Sequence, residues 1–194
     1  MAGIRFFTPV FAVSAALALT PAVASADTLG GAEAPPTGGA KVTGPVVLKD
    51  QPGPTVSGSK TVLIGTKAYA PSKAPLAVKE VVWAANKIRH KPYKWGGGHG
   101  QWSDSGYDCS GAVSYALHGG GLLDWSLASG GFMHWGASGR GRWISIYASK
   151  THAYMFVAGL RFDTSGEGES GPRWRPEPRW DSGHGFWVRH PAGL

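Results

Sequence analysis

The chain reads as an α+β domain in which helices come first and an antiparallel β-sheet follows. Three observations predict this. Val78, Val81, Val82, Ala85 and Ile88 recur at helical spacing, a second helix-length run ends at Gly119-Gly120-Gly121, and beyond residue 140 the pattern turns to short runs rich in Ile, Val, Tyr and Phe.

Taken in order, residues 1–26 read as a signal peptide. Arg5 supplies a positive start, Phe6 to Ala22 are mostly apolar, and Ala24-Ser25-Ala26 puts small residues ahead of a cleavage point before Asp27. Thr8, Pro9, Ser14, Thr20 and Pro21 interrupt the run and no stop-transfer pattern follows, so stable membrane insertion is not expected. Residues 27–73 are rich in Gly, Pro, Ala, Thr and Ser and read as a linker or N-terminal arm. Within them, Val46-Val47-Leu48 and Thr61-Val62-Leu63-Ile64 are patches able to add strands to the domain edge. Residues 74–194 are then the folded domain, and they carry most of the nine tryptophans and six tyrosines.

In that domain Pro75 suits the first turn of a helix that must end before Pro92. Lys94-Trp95-Gly96-Gly97-Gly98-His99-Gly100 is too glycine-rich for regular structure and reads as a loop passing close to something. A helix from Cys109 to His118 follows, then strands at Arg142–Ala148, His152–Val157, Leu160–Thr164 and Gly185–Arg189. The net charge of +7 is scattered, with no Lys/Arg cluster of the kind that marks nucleic-acid binding. It suits anionic surfaces such as cell-wall polymers or lipid headgroups.

Cys109 is the one cysteine, so an internal disulfide is impossible and the usual reason for a cysteine in an exported protein is missing. It starts a helix, where unpaired N–H groups and the helix dipole favour a thiolate. Asp108 is the natural N-cap. A thiol nucleophile needs a base, and of seven histidines His152 stands out because it opens a strand. If Ala158-Gly159 is a tight turn, Val157 pairs with Leu160, and Asp163 lies diagonally from His152 on one face, within reach of the imidazole. Asp163 also suits the start of the turn Asp163-Thr164-Ser165-Gly166. His99, ten positions before the cysteine, is expected beside the substrate. No pair of histidines has metal-ligand spacing, so no metal or other cofactor is expected.

Pro92-Tyr93-Lys94-Trp95-Gly96-Gly97, Asp108-Cys109-Ser110-Gly111 and the strand-borne His152 together resemble the NlpC-like cysteine endopeptidases of bacterial cell walls, over about residues 75–165. The resemblance implies a compact papain-like α+β domain, with helices packed on an antiparallel sheet. It implies Cys109 as nucleophile, His152 as base and Asp163 as orienting third residue. Tyr93 would sit near the oxyanion and substrate amine, with Trp95, His99, Asp108 and Ser110 on the substrate side. The implied reaction is hydrolysis of peptidoglycan stem peptides, typically at the γ-D-glutamyl to diamino acid bond, by a monomer that is secreted, extracellular or wall-associated. A thioester-forming acyltransferase and an inactive wall-binding protein remain as alternatives. Arg173, Trp174, Arg175, Arg179 and Trp180 read either as a loop wrapped over the domain or as a surface for an anionic glycan.

Overall fold

Two glycines at the end of one helix decide how closely the helices pair. The computed structural model describes residues 47–48, 51–166, 170–176, 179 and 184–194, all within the unit Lys41–Leu194. The expected signal peptide, residues 27–46 and 49–50 of the expected linker, and Trp180 lie outside the described residues.

The described chain begins with short strands: β1 (Val47–Leu48), β2 (Thr55–Val56), β3 (Val62–Ile64) and β4 (Lys67–Pro71). They form a small sheet of order β1-β2-β4-β3, in which β2 and β4 run parallel and the other neighbours antiparallel. This corrects the expected boundary at residue 74: Val56, Ala68 and Ala70 are fully buried, so the folded body already includes β2 and β4. Low helix propensity and abundant Gly and Pro mark loops and short strands alike, which is why composition alone read this stretch as a linker.

Helix α1 (Leu76–Ile88) follows Pro75 and buries the five residues whose spacing predicts it, together with Ala84 and Asn86. Helix α2 (Cys109–Gly119) is buried along nearly its whole length. A Cβ added at Gly119 would come within 2.3 Å of Ala84 Cβ, and one at Gly120 within 2.5 Å of Val81 Cγ2. The C-terminal end of α2 therefore lies against the middle of α1 at a distance only glycine allows. A single turn, α3 (Ser129–Phe132), buries Phe132.

The main sheet contains β5 (Ala137–Ser138), β6 (Ile144–Ala148), β7 (Ala153–Val157), β8 (Leu160–Asp163), β9 (Arg173–Arg175) and β10 (Trp187–His190). Its order is β5-β10-β6-β7-β8-β9 and every pairing is antiparallel. The fold is therefore α+β with the helices ahead of the main sheet in sequence. Alternation divides the sheet into two faces. Ile144, Ile146, Met155, Val157, Phe162 and Trp174 join the helices in one hydrophobic core. Ser145, Tyr147, Tyr154, Phe156, Arg161 and Asp163 belong to the other face.

β5, α3 and β9 are not among the elements the sequence predicts. Of the Arg/Trp-rich segment, Trp174 goes into the core against Phe162, with ring centroids 4.9 Å apart, and Arg175 is buried.

Candidate active site

The N-terminus of α2 is built around one carboxylate. Asp108 at the N-cap accepts the Gly111 N–H at 2.7 Å and the Ser110 hydroxyl at 3.1 Å. Its other oxygen accepts the Gly96 N–H at 3.1 Å, and His99 Nε2 lies 3.0 Å from Oδ1. Asp108 thus ties the glycine loop to the first turn of the helix. Gly96 and Gly98 adopt φ values of +71° and +84°, which side chains disfavour. A Cβ on Gly111 would sit 2.0 Å from the Gly97 carbonyl oxygen. Loop and helix approach so closely because neither has side chains at the crossing.

Cys109 follows, with only 7% of its surface exposed. On the main sheet, a turn presents His152 to it: Ser149 N–H donates to the His152 carbonyl at 2.8 Å, and His152 N–H donates to Ser149 Oγ at 3.1 Å. The hairpin register is Val157 to Leu160 and Met155 to Phe162. That register places Asp163 diagonally from His152, and His152 Nε2 lies 2.9 Å from Asp163 Oδ1. With Nε2 turned to the carboxylate, Nδ1 is the ring nitrogen left to face the thiol, whose pKa the imidazole lowers. Ala158 at the tip takes φ +47° beside Gly159 at +92°, the left-handed pair that a two-residue turn between twisted strands needs.

The electrostatics follow from these contacts. Burial pushes the Cys109 thiol up, but the hydrogen bond with His152, the Ala153 N–H and the imidazolium charge bring it below its ordinary value. Burial opposes charge on His152 as well. Its hydrogen bonds to Asp163 and Cys109 and their negative charges outweigh burial and raise it to about 9. Asp163 is also pushed up by burial, yet the bond and charge of His152, the Ser165 N–H and Arg179 hold it below the usual carboxylate value. Near neutral pH these directions favour a thiolate–imidazolium pair braced by a carboxylate.

The carboxylate has partners that sequence reasoning missed. Arg179 Nη1 donates to Asp163 Oδ2 at 3.0 Å and to Ser165 Oγ at 2.8 Å, and Arg161 Nε lies 3.9 Å from Oδ2. Ser165 donates its N–H at 2.9 Å and its hydroxyl at 3.1 Å to Oδ1. Asp163 thus both opens a turn and faces the imidazole, so the two readings of this residue are compatible. The Asp-Thr-Ser spacing signals the turn. Nothing in the sequence connects Arg179 to a residue sixteen positions earlier.

The remaining expected residues divide. Tyr93 is bridged to Tyr107, two residues before Cys109, and is 38% exposed. Burial first, then the negative charges of Cys109 and Asp108, raise its hydroxyl above the ordinary value, so it stays a proton donor. Trp95 stands 85% exposed on the glycine loop. His99 lines a separate hollow of about 250 Å³ with Trp102 and Trp125. Asp108 and Ser110 are buried, and their polar atoms engage one another, His99 and backbone N–H groups. Among the described residues no group of three or more His, Cys, Asp or Glu could hold a metal ion, and no helix is long and apolar enough to cross a membrane.

No protein-family model matches the chain, and no curated protein matches it. Among solved structures it is similar to an NlpC/P60 family protein from Bacillus cereus, at 17% identity and a TM-score of 0.46. The match covers 64% of this chain and 44% of that one, so it spans less than half the length of that protein.

Proposed function

We propose that the protein is a secreted, wall-associated cysteine peptidase that hydrolyses amide bonds in peptidoglycan stem peptides. One observation carries the reading: His152, bonded to the buried carboxylate of Asp163 at 2.9 Å, is coupled electrostatically to the single thiol at the start of α2. The motif resemblance through Tyr93, the glycine loop and Asp108-Cys109-Ser110-Gly111 supplies the substrate class, including the γ-D-glutamyl to diamino acid bond.

The Cys109 thiolate attacks the scissile carbonyl carbon, forming a C–S bond and an oxyanion. The Cys109 N–H lies in the first turn of α2, where it has no intrahelical acceptor, and it stabilises that oxygen. Tyr93 supplies a second donor. His152 gives its proton to the leaving amine as the C–N bond breaks, leaving a thioester. The now neutral imidazole takes a proton from water, the hydroxide attacks the thioester, and the carboxylic product departs as Cys109 regains its thiolate. Asp163 keeps the ring oriented and stabilises its charged form throughout.

Incubating the purified chain with defined muropeptides, and separately with acyl-lipid donors, distinguishes the reaction classes by product mass. Cleaved stem peptides that vanish with Cys109→Ala are expected. Cleavage undiminished in that variant, or transfer products from lipid donors without cleavage, would reject the proposal.

A further inference from the structure

The outer face of the main sheet carries a cleft of about 460 Å³ that Cys109, His152 and Asp163 do not line. Its floor is aromatic. Beneath it Tyr147 and Tyr154 stack with centroids 5.0 Å apart and 15° between planes, both buried, with the Arg179 guanidinium 4.8 Å over the Tyr154 ring. Phe156 sits edge-on to both, at 5.7 and 6.1 Å, and Phe156 and Trp143 are the rings with open surface. Its rim is cationic: Lys60 comes from the segment between β2 and β3, Arg140 and Arg142 from the segment between β5 and β6, and Arg179 from the C-terminal region. No carboxylate is among the described lining residues. Lys60, Arg140 and Arg142 are exposed, while Trp143 and Phe156 are half-buried and so each keeps an open surface.

The walls are tied together. Thr61 N–H donates to the Ala158 carbonyl at 3.0 Å, and Ala158 N–H donates to the Trp143 carbonyl at 2.6 Å. Gly141 N–H donates to Ser145 Oγ at 3.1 Å. Three segments distant in sequence are thereby fixed around one opening, so the cleft is preformed. Its volume falls in the roughly 300–1,000 Å³ range of small-molecule sites.

We propose that this cleft binds an anionic saccharide, a sugar ring bearing a carboxylate or a phosphate ester. A pyranose presents an apolar C–H face to an aromatic ring and hydroxyls at its edge. Guanidinium groups at the rim match a carboxylate or phosphate in fork geometry. A free inorganic anion would use the rim alone and leave the aromatic floor without a role. A neutral sugar would offer no anionic group to the exposed Lys60, Arg140 and Arg142. Arg179 lines the cleft and also holds Asp163, so an occupant would border the candidate active site without entering it.

Calorimetric titration of the full chain with glucuronate, glucose 6-phosphate, glucose, inorganic phosphate and AMP tests the assignment. Glucuronate or glucose 6-phosphate is expected to bind at least ten-fold more tightly than glucose or phosphate. The Arg140→Gln/Arg142→Gln pair, at exposed positions, should weaken that binding at least ten-fold with an unchanged thermal melt, and Lys60→Gln is the second variant should the pair misfold. Trp143→Ala should weaken sugar acids at least several-fold and leave inorganic phosphate unaffected. Cys109→Ala should bind as the unmodified chain does, so a failed peptidase assay leaves this result standing. No binding of either sugar acid, equal affinity for phosphate, tighter binding of AMP, or charge variants that bind as before would overturn the proposal.

Discussion

His152 is the residue whose protonation would govern both the proposed activity and stability. Its pKa is raised from 6.5 to about 9 in the fold, while that of Cys109 is lowered. The active ion pair therefore forms once pH exceeds the lowered thiol value and is lost as His152 deprotonates near pH 9, giving a bell whose upper limb lies there. A pH profile of kcat/KM on a muropeptide checks this, and an upper limb near 6.5 would contradict it. The stability sign is separate. A raised histidine pKa contributes stability that is complete below 6.5 and lost as pH rises through about 9. Asp163, held below 3.8, contributes above that value and loses its contribution as pH falls further. Denaturant midpoints should thus decline at the acid end, while toward pH 9 the lowered Cys109 thiol, whose contribution grows with pH, offsets the loss from His152. Asp163→Asn removes the charge that orients the ring, and it is expected to lower kcat roughly 10²-fold while bringing His152 back toward its ordinary pKa, readable by NMR titration of the imidazole.

At the scale of elements, the junction of the glycine loop with α2 positions the thiol. Gly111→Ala would drive a methyl group into the Gly97 carbonyl, with an expected cost of about 1–3 kcal/mol from overpacking. Asp108→Ala removes the N-cap, frees the Gly96 N–H and His99, and should cost roughly 1–2 kcal/mol. Both should also lower activity, because the loop that carries Tyr93 toward Cys109 is no longer fixed. Chemical denaturation gives the first quantity and single-turnover cleavage the second. A Gly111→Ala chain with unchanged midpoint and rate would contradict this account of the junction.

Across the whole molecule, Asn86 joins three layers. Its side-chain oxygen accepts the Ala68 N–H of β4 at 3.0 Å and the Trp174 indole N–H of β9 at 3.0 Å, while its amide donates to the Ala68 carbonyl at 2.8 Å. Asn86→Ala leaves those buried groups unpaired, and a loss of roughly 2–4 kcal/mol is expected in denaturant titration. A chain starting at residue 74 lacks β4 and should melt well below one starting at residue 51, contrary to a boundary placed by composition. Both main helices, the order of helices before sheet, and the pairing of His152 with Asp163 are legible in the residues, because 3.6- and 2-residue periodicity and a tight turn are local properties. The lone thiol at a helix start is legible for the same reason. Two strands of the small sheet, β1 and β3, fall on patches named in the sequence, but its β2–β4 pairing, β9, Arg179 on Asp163 and the cationic cleft are not legible, since each depends on separate segments meeting in space. Local stereochemistry settled which residues could form the candidate catalytic set. Only long-range packing decided what surrounds it, because the burial and pairing of a charge depend on neighbours that no local pattern specifies.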